Sequence, residues 1–274
     1  MRAILPFALL LASFQSYSQQ VCDCDSVFSF IYTGWDKVVN MSYHSYKNER
    51  KMDVYESAEF DFVVQRKPFK VAGVMTEKGH RLLYDPLQNK TEALYISNGF
   101  PYTNLWLDIH GKVFRGLNHY TISNAGCEYI FGIIRNEYRK MPEKFVCRKI
   151  QTKGKEEIEI YAETHGFEFT EYTALDGENV LDISDKLKVM AYVLLEYNDN
   201  IDEYLDDCSG LTIMVPSHYG SKVKLVVNAQ HGMPSLIEVH DTKGLLEQYI
   251  YTDYKFGLKL DKDYFTESYL DDLD

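Results

Sequence analysis

Eight histidines and five cysteines are the side chains of this 274-residue chain best suited to nucleophilic or metal chemistry. Cys208 precedes His218, and Asp108 precedes His110 and His119, so a thiolate–imidazole pair or a small ligand set can be drawn from each group. Such chemistry needs partners within hydrogen-bond reach, and nearness in sequence does not supply that. No H-E-x-x-H, no G-x-S-x-G and no glycine-rich loop after a strand-like run occurs. The sequence assigns no catalytic residue, no metal ligand and no cofactor, and the expectation is a protein that is not an enzyme. Cys22-Asp23-Cys24 offers too few donors for a metal. In an oxidising compartment the five cysteines would form one or two disulfides and leave a thiol over, with the connectivity open.

The most patterned stretch lies between residues 168 and 218. Residues 168–174 alternate apolar and polar with aromatic and β-branched types, the pattern of a half-buried strand. Asp176-Gly177 supplies a turn. Val180, Ile183 and Leu187 then recur at helical spacing, as do Val189, Val193, Leu194 and Tyr197 after a break at Lys188. Helices this short do not persist alone. They need a sheet to cover, and a strand over 211–215 can pair with the first to provide it.

Tyr172, Thr173, Gly177, Val180, Ile183, Val189, Leu194, Asn198, Ile201, Gly210, Ile213, Val215 and Pro216 together resemble the lysin motif (LysM). That family is a small βααβ unit that holds N-acetylglucosamine polymers such as peptidoglycan. The resemblance implies a glycan groove between two loops, mapping onto Asp176, Gly177, Glu178, Asn179 and Val180 and onto Asn198, Asp199, Asn200 and Ile201. Backbone amides and short polar side chains suit acetamido groups there. The chain departs from the family's Gly-Asp-Thr with Gly177-Glu178-Asn179, and Leu211 stands in place of the usual Gln. Ten carboxylates between Asp176 and Asp207, against only Lys186 and Lys188, would disfavour anionic peptide stems.

Around this stretch the chain reads as strands. An N-terminal helix is marked by Phe28, Ile31, Trp35 and Val38; short runs over 54–64, 69–75, 80–84, 91–96 and 104–108 are separated by turn signals such as Lys67-Pro68 and Asn98-Gly99. A helix over 121–140, strands over 145–151 and 156–163, and three more over 222–228, 234–241 and 245–254 complete the pattern. Residues 226–256, with Asp263-Tyr264-Phe265 beyond them, resemble the C-terminal hairpin of the LolA/LolB-like periplasmic lipoprotein-carrier superfamily, and Gln65-Arg66-Lys67-Pro68-Phe69 and residues 119–126 resemble an uncharacterised bacterial branch of it. The implied fold class is α+β: a curved antiparallel half-barrel with covering helices, carrying an inserted βααβ module. The expected division is a signal peptide over 1–18, a carrier-like first part over 26–167, the LysM-like insertion over 168–218 and carrier-like C-terminal strands over 219–270.

Residues 1–18 read as a secretory signal, with basic Arg2, an apolar run and a small-x-small cleavage site. The expected location is the periplasm or cell envelope. A formal charge of -12 argues against nucleic-acid partners. The expected function is a non-enzymatic envelope protein whose LysM module binds peptidoglycan or another N-acetylglucosamine polymer. The alternative is a carrier or sensor of lipid or lipoprotein in which the module is structural.

Overall fold

A computed structural model describes residues 20–100, 104–116, 118–164 and 166–271; the expected signal peptide lies outside them. A short strand β1 (Gln20–Cys22) and helix α1 (Cys24–Lys37) precede β2 (Asn40–Lys51), β3 (Val54–Arg66), β4 (Phe69–Met75), β5 (Arg81–Tyr84), β6 (Glu92–Ile96) and β7 (Asn104–Asp108). Helix α2 (Glu128–Lys140) leads into β8 (Phe145–Thr152) and β9 (Lys155–Glu163). The βααβ module comprises β10 (Phe169–Thr173), α3 (Val180–Leu187), α4 (Ala191–Glu196) and β11 (Thr212–Pro216). Strands β12 (Lys222–Asn228), β13 (Pro234–Asp241) and β14 (Gly244–Phe256) and the short helix α5 (Glu267–Asp271) close the chain.

Among the described residues twelve strands form one open antiparallel sheet in the order β1-β8-β9-β12-β13-β14-β2-β3-β4-β5-β6-β7, a curved half-barrel. Bulges interrupt three successive central ladders, β12–β13 at Val226/Val227, β13–β14 at Val239/His240 and β14–β2 at Thr252/Lys255. Each bulge bends and twists its strand, so the curvature is concentrated where the sheet must wrap a core. Helices α1 and α2 bury Phe28, Ile31, Trp35, Ile130, Phe131 and Ile134 in that core. A disulfide joins Cys24 at the start of α1 to Cys147 on β8, while Cys22, opposite Cys147 on the paired β1, stays free.

Strands β10 and β11 pair with Thr170 opposite Val215, and both helices lie between them in sequence. The main sheet is uninterrupted by the insertion, because β9 before it pairs directly with β12 after it. Two sequence expectations are corrected. The helix expected over 121–140 begins only at Glu128: Gly126 has φ +90°, donates its N–H to the Tyr43 hydroxyl at 2.9 Å and faces Trp35 and Val64 closely. Strand β2 has no counterpart in the sequence reading, although it is central and twelve residues long. Its alternate buried positions start as Met41, Tyr43 and Ser45 and continue to Glu49, which hides the apolar period.

The module is fastened to the sheet by charge. All six residues of α4 are buried, as a helix enclosed on every side must be. Glu196 at its end grips Arg50 of β2 in bidentate fashion, at 2.9 Å to both Nε and Nη2. Asp241 takes one hydrogen from each terminal nitrogen of Arg50, and the Leu245 carbonyl accepts a further bond at 3.2 Å, so all five guanidinium hydrogens are placed. The Tyr192 hydroxyl oxygen accepts a hydrogen bond from the Met52 N–H, and its ring stacks on His119 with 4.1 Å between centroids. Asp241 still compensates Arg50 when Glu196 is neutralised, so the loss is that of the charge-assisted hydrogen bonds of Glu196, about 2 kcal/mol. Glu196→Gln should therefore lower the stability of the whole chain by about that amount in urea unfolding. A change of only a few tenths of a kcal/mol would show the module to be energetically detached, as a separable insertion requires.

Candidate functional site

Directly opposed residues of neighbouring strands share a face, so the register alone builds the inner wall. One row runs Leu82, Gly73, Phe62, Tyr43, and the next Phe60, Ser45, Tyr251. Below them come Lys47, Tyr249 and Ile237, then Glu49, Glu247 and Val239. Gly73 is required in the first row: a Cβ there would meet the Phe62 ring at 2.7 Å. Phe114, segment 118–126 and the first turn of α2 roof the rows, leaving a cavity of about 140 Å³. Its apolar lining includes Phe60, Phe62, Leu82, Phe114, Ile122 and Ile130, and its polar lining Lys47, Glu49 and Asn118.

The polar end is a buried ionic cluster. Glu49 and Glu247 face each other across β2 and β14, both essentially inaccessible to solvent. Two carboxylates so placed repel unless cations and donors surround them. Lys47 donates to Glu49 at 3.0 Å and to the Asn118 side chain at 2.8 Å, and the Tyr249 hydroxyl donates to Glu49. Glu247 accepts from the Tyr120 hydroxyl at 2.7 Å and from that of Tyr219 at 3.2 Å. Its other oxygen lies 2.7 Å from Nδ1 of His119, whose Nε2 donates to the Arg50 carbonyl at 2.9 Å. Because Nε2 must carry hydrogen, one further proton is held between Nδ1 and Glu247. Arg115 pins this segment, donating to the His119 carbonyl at 3.0 Å with its guanidinium 3.9 Å from the centre of the Tyr204 ring.

The two acids are driven apart. Burial pushes Glu49 upward, but Lys47, His119 and the Tyr249 hydroxyl outweigh it and hold the carboxyl at about 2. Burial dominates at Glu247 and, with Glu49 beside it, raises its affinity for a proton. The signs of the linkage are opposite. Glu49 contributes stability above its unfolded value of about 4.5 that is lost as pH falls towards 2, on the order of 3 kcal/mol in all. Glu247 contributes stability that is complete below about 4.5 and is lost as pH rises through its folded value. Unfolding followed from pH 2 to pH 7 should show Glu49→Gln flattening the acid side and Glu247→Gln flattening the neutral side. Identical pH profiles for parent and both variants would contradict this division.

The residues first considered for catalysis do not assemble. Cys208 is buried with its thiol directed to the Asp206 carbonyl, while His218 lies 3.2 Å from Glu137. His110 contacts Arg115, and its backbone N–H bonds Asp108, so neither joins His119 in a ligand set. Among the described residues no cluster of three or more His, Cys, Asp or Glu suits a metal ion.

The nine residues mapped by the LysM resemblance divide sharply. Val180 and Ile201 are core side chains that could offer a ligand only their backbone. Asn179 caps α3 by accepting from the Leu181 and Asp182 N–H groups at 2.9 and 3.1 Å. Glu178 is bound by Lys186, Tyr172 and the Leu175 N–H, which hold its carboxyl at about 2. Asn198 is buried and locks onto both backbone groups of Met214 and the Leu194 carbonyl. Gly177 turns the loop at φ +77° and donates its N–H to Ser209. Only Asp176, Asp199 and Asn200 expose side chains. Lys47, Glu49, Glu247 and Tyr249 were missed as site residues; the one signal is charge at alternate positions 47, 49 and 51 of β2.

No protein-family model matches the chain, the lysin motif included, and no curated protein's sequence matches it. Similar solved structures include a DUF1329 family protein from Desulfovibrio piger, at 6% identity and TM-score 0.39, covering 90% of this chain and 98% of that one. A LolA superfamily protein from Nitrosomonas europaea is similar at 9% identity and TM-score 0.35, over 90% and 99% of the two chains. The lipoprotein LppX from Mycobacterium tuberculosis is similar at 10% identity and TM-score 0.39, over 87% and 100%. Among the described residues no helix is long and apolar enough to cross a membrane.

Proposed function

We propose that this chain is an exported, non-enzymatic binder of apolar or amphiphilic small molecules, acting as a carrier or sensor of lipid or lipoprotein acyl groups. The observation that carries the reading is the aromatic cavity with one polar end between the sheet and α2. Ligand pockets combine a mostly apolar lining with a few convergent polar groups, as here. At about 140 Å³ the space matches an apolar cavity that takes one aromatic ring rather than a pocket of several hundred Å³. A longer chain would enter as segment 118–126 yields. The observed side chains give the acid groups no reacting partner, so the cluster reads as a device for holding the roof and orienting a polar end.

Binding can be followed with N-phenyl-1-naphthylamine fluorescence and its displacement by 1-octanol. Ser45→Phe projects a ring into the cavity from the row of Phe60 and Tyr251, and should weaken binding at least tenfold, while Ile122→Ala enlarges the space and should strengthen it. No binding by the parent, or equal binding by both variants, would sink the proposal.

Glycan binding remains the second reading, favoured by the β10–β11 pairing and the two helices between those strands. It would have to work through backbone groups with Asp176, Asp199 and Asn200. Failure of the parent protein to sediment with purified sacculi would remove it.

A further inference from the structure

Beside the apolar cavity, and sharing Tyr129 with it as a wall, runs an open groove of about 500 Å³ between α2 and the module. Glu128, Gly132, Arg135, Asn136 and Arg139 line its α2 side at the spacing of one helical stripe. An added Cβ on Gly132 would meet nothing within 4 Å, so the floor is open. Lys188 and Asp185 stand on the module side. Arg135, Arg139 and Lys188 are exposed, and among the described residues none forms a salt bridge, although the Arg135 guanidinium lies 4.8 Å from the centre of the Tyr32 ring of α1. Glu128 is already held by Arg66 at 3.1 Å and by the Trp35 indole at 2.5 Å, leaving Asp185 as the opposing charge. Lys188 occupies a left-handed backbone position, φ +58°, where glycine or asparagine would be less strained. In a chain with 41 acidic and 29 basic residues, three cations that line one groove without a salt-bridge partner run against the overall charge.

From this juxtaposition we propose that the groove takes the anionic head of an amphiphile, a carboxylate or phosphate, whose apolar part occupies the neighbouring cavity across Tyr129. Arg135 and Arg139 supply planar donors from one helix face, Lys188 a point charge from the other side. The proposal rests on the cavity reading and adds to it the ligand's charge.

Octanoate and 1-octanol share a chain and differ in the head, so calorimetric titration of both against the full-length exported protein separates the two sites. At low salt the parent should bind octanoate at least tenfold more tightly than octanol, the advantage shrinking as salt is added. Arg135→Gln with Arg139→Gln should remove most of that advantage and leave octanol unchanged; Ser45→Phe should weaken both. Equal affinity of the parent for acid and alcohol, or an advantage untouched by the double arginine variant, overturns the headgroup site while leaving the cavity reading intact. Failure of both ligands to bind overturns both. Inorganic phosphate alone should bind weakly; if it matches octanoate, the groove is a free-anion site and the amphiphile proposal is wrong.

Discussion

Two glutamates stand opposite one another on adjacent strands, both shut away from water, and much of the surrounding structure is arranged to make that tolerable. A lone buried carboxylate is expensive, and a second at strand spacing makes it more so. Glu49 and Glu247 are held by a lysine, a histidine and three tyrosines drawn from β2, β14 and the segments before α2 and after β11. Those donors come from places far apart in sequence, so satisfying the pair fixes where segment 118–120 must lie. That segment forms part of the cavity's roof. The ionic cluster and the apolar space are consequently one construction, with the polar groups holding the walls that the aromatic side chains line.

Arg50, next along β2, performs the matching task for the module. Burial alone would pull its guanidinium towards neutrality, yet Asp241 and Glu196 more than reverse this and keep it charged. Its carbonyl also receives His119, so the ion pair that binds the module and the cluster that floors the cavity meet at a single residue. The stacking of Tyr192 on His119 closes the same circuit from α4. A change of state at the cavity floor therefore has a direct physical route to the module, through side chains in contact rather than through a long path.

In the βααβ unit the loop side chains are engaged within the unit itself. The β10–β11 register and the helix pair leave polar loops at one end, but Glu178, Asn179 and Asn198 are engaged in holding those loops. What the inserted unit presents outward is mostly acidic, whereas the side turned to α2 carries Lys188 with Asp185, facing Arg135 and Arg139 of that helix. Charge is thus distributed unevenly about the groove, a property that neither the net charge nor the local motif conveys.

The sequence by itself determined the elements whose period is apolar. Strands β4, β12 and β13 are recovered at their full extent, and the pairing of β10 with β11 follows from two half-buried runs flanking two helices too short to stand alone. Those features are local, set by side-chain period and turn chemistry. Tertiary structure alone decided the site. Strand β2 places Ser45, Lys47 and Glu49 on the inner face, so it lacks the apolar alternation that would announce it, and its polar residues are tolerable inside only because Glu247, His119 and Tyr249 arrive from elsewhere. Likewise Arg135 and Arg139 read as an ordinary solvated helix face until α3 and α4 set Lys188 across from them. A buried charge is defined by its partners, and partners some 70 to 200 residues away, as Asn118 is from Lys47 and Tyr249 from Glu49, are a property of the fold rather than of any stretch of chain.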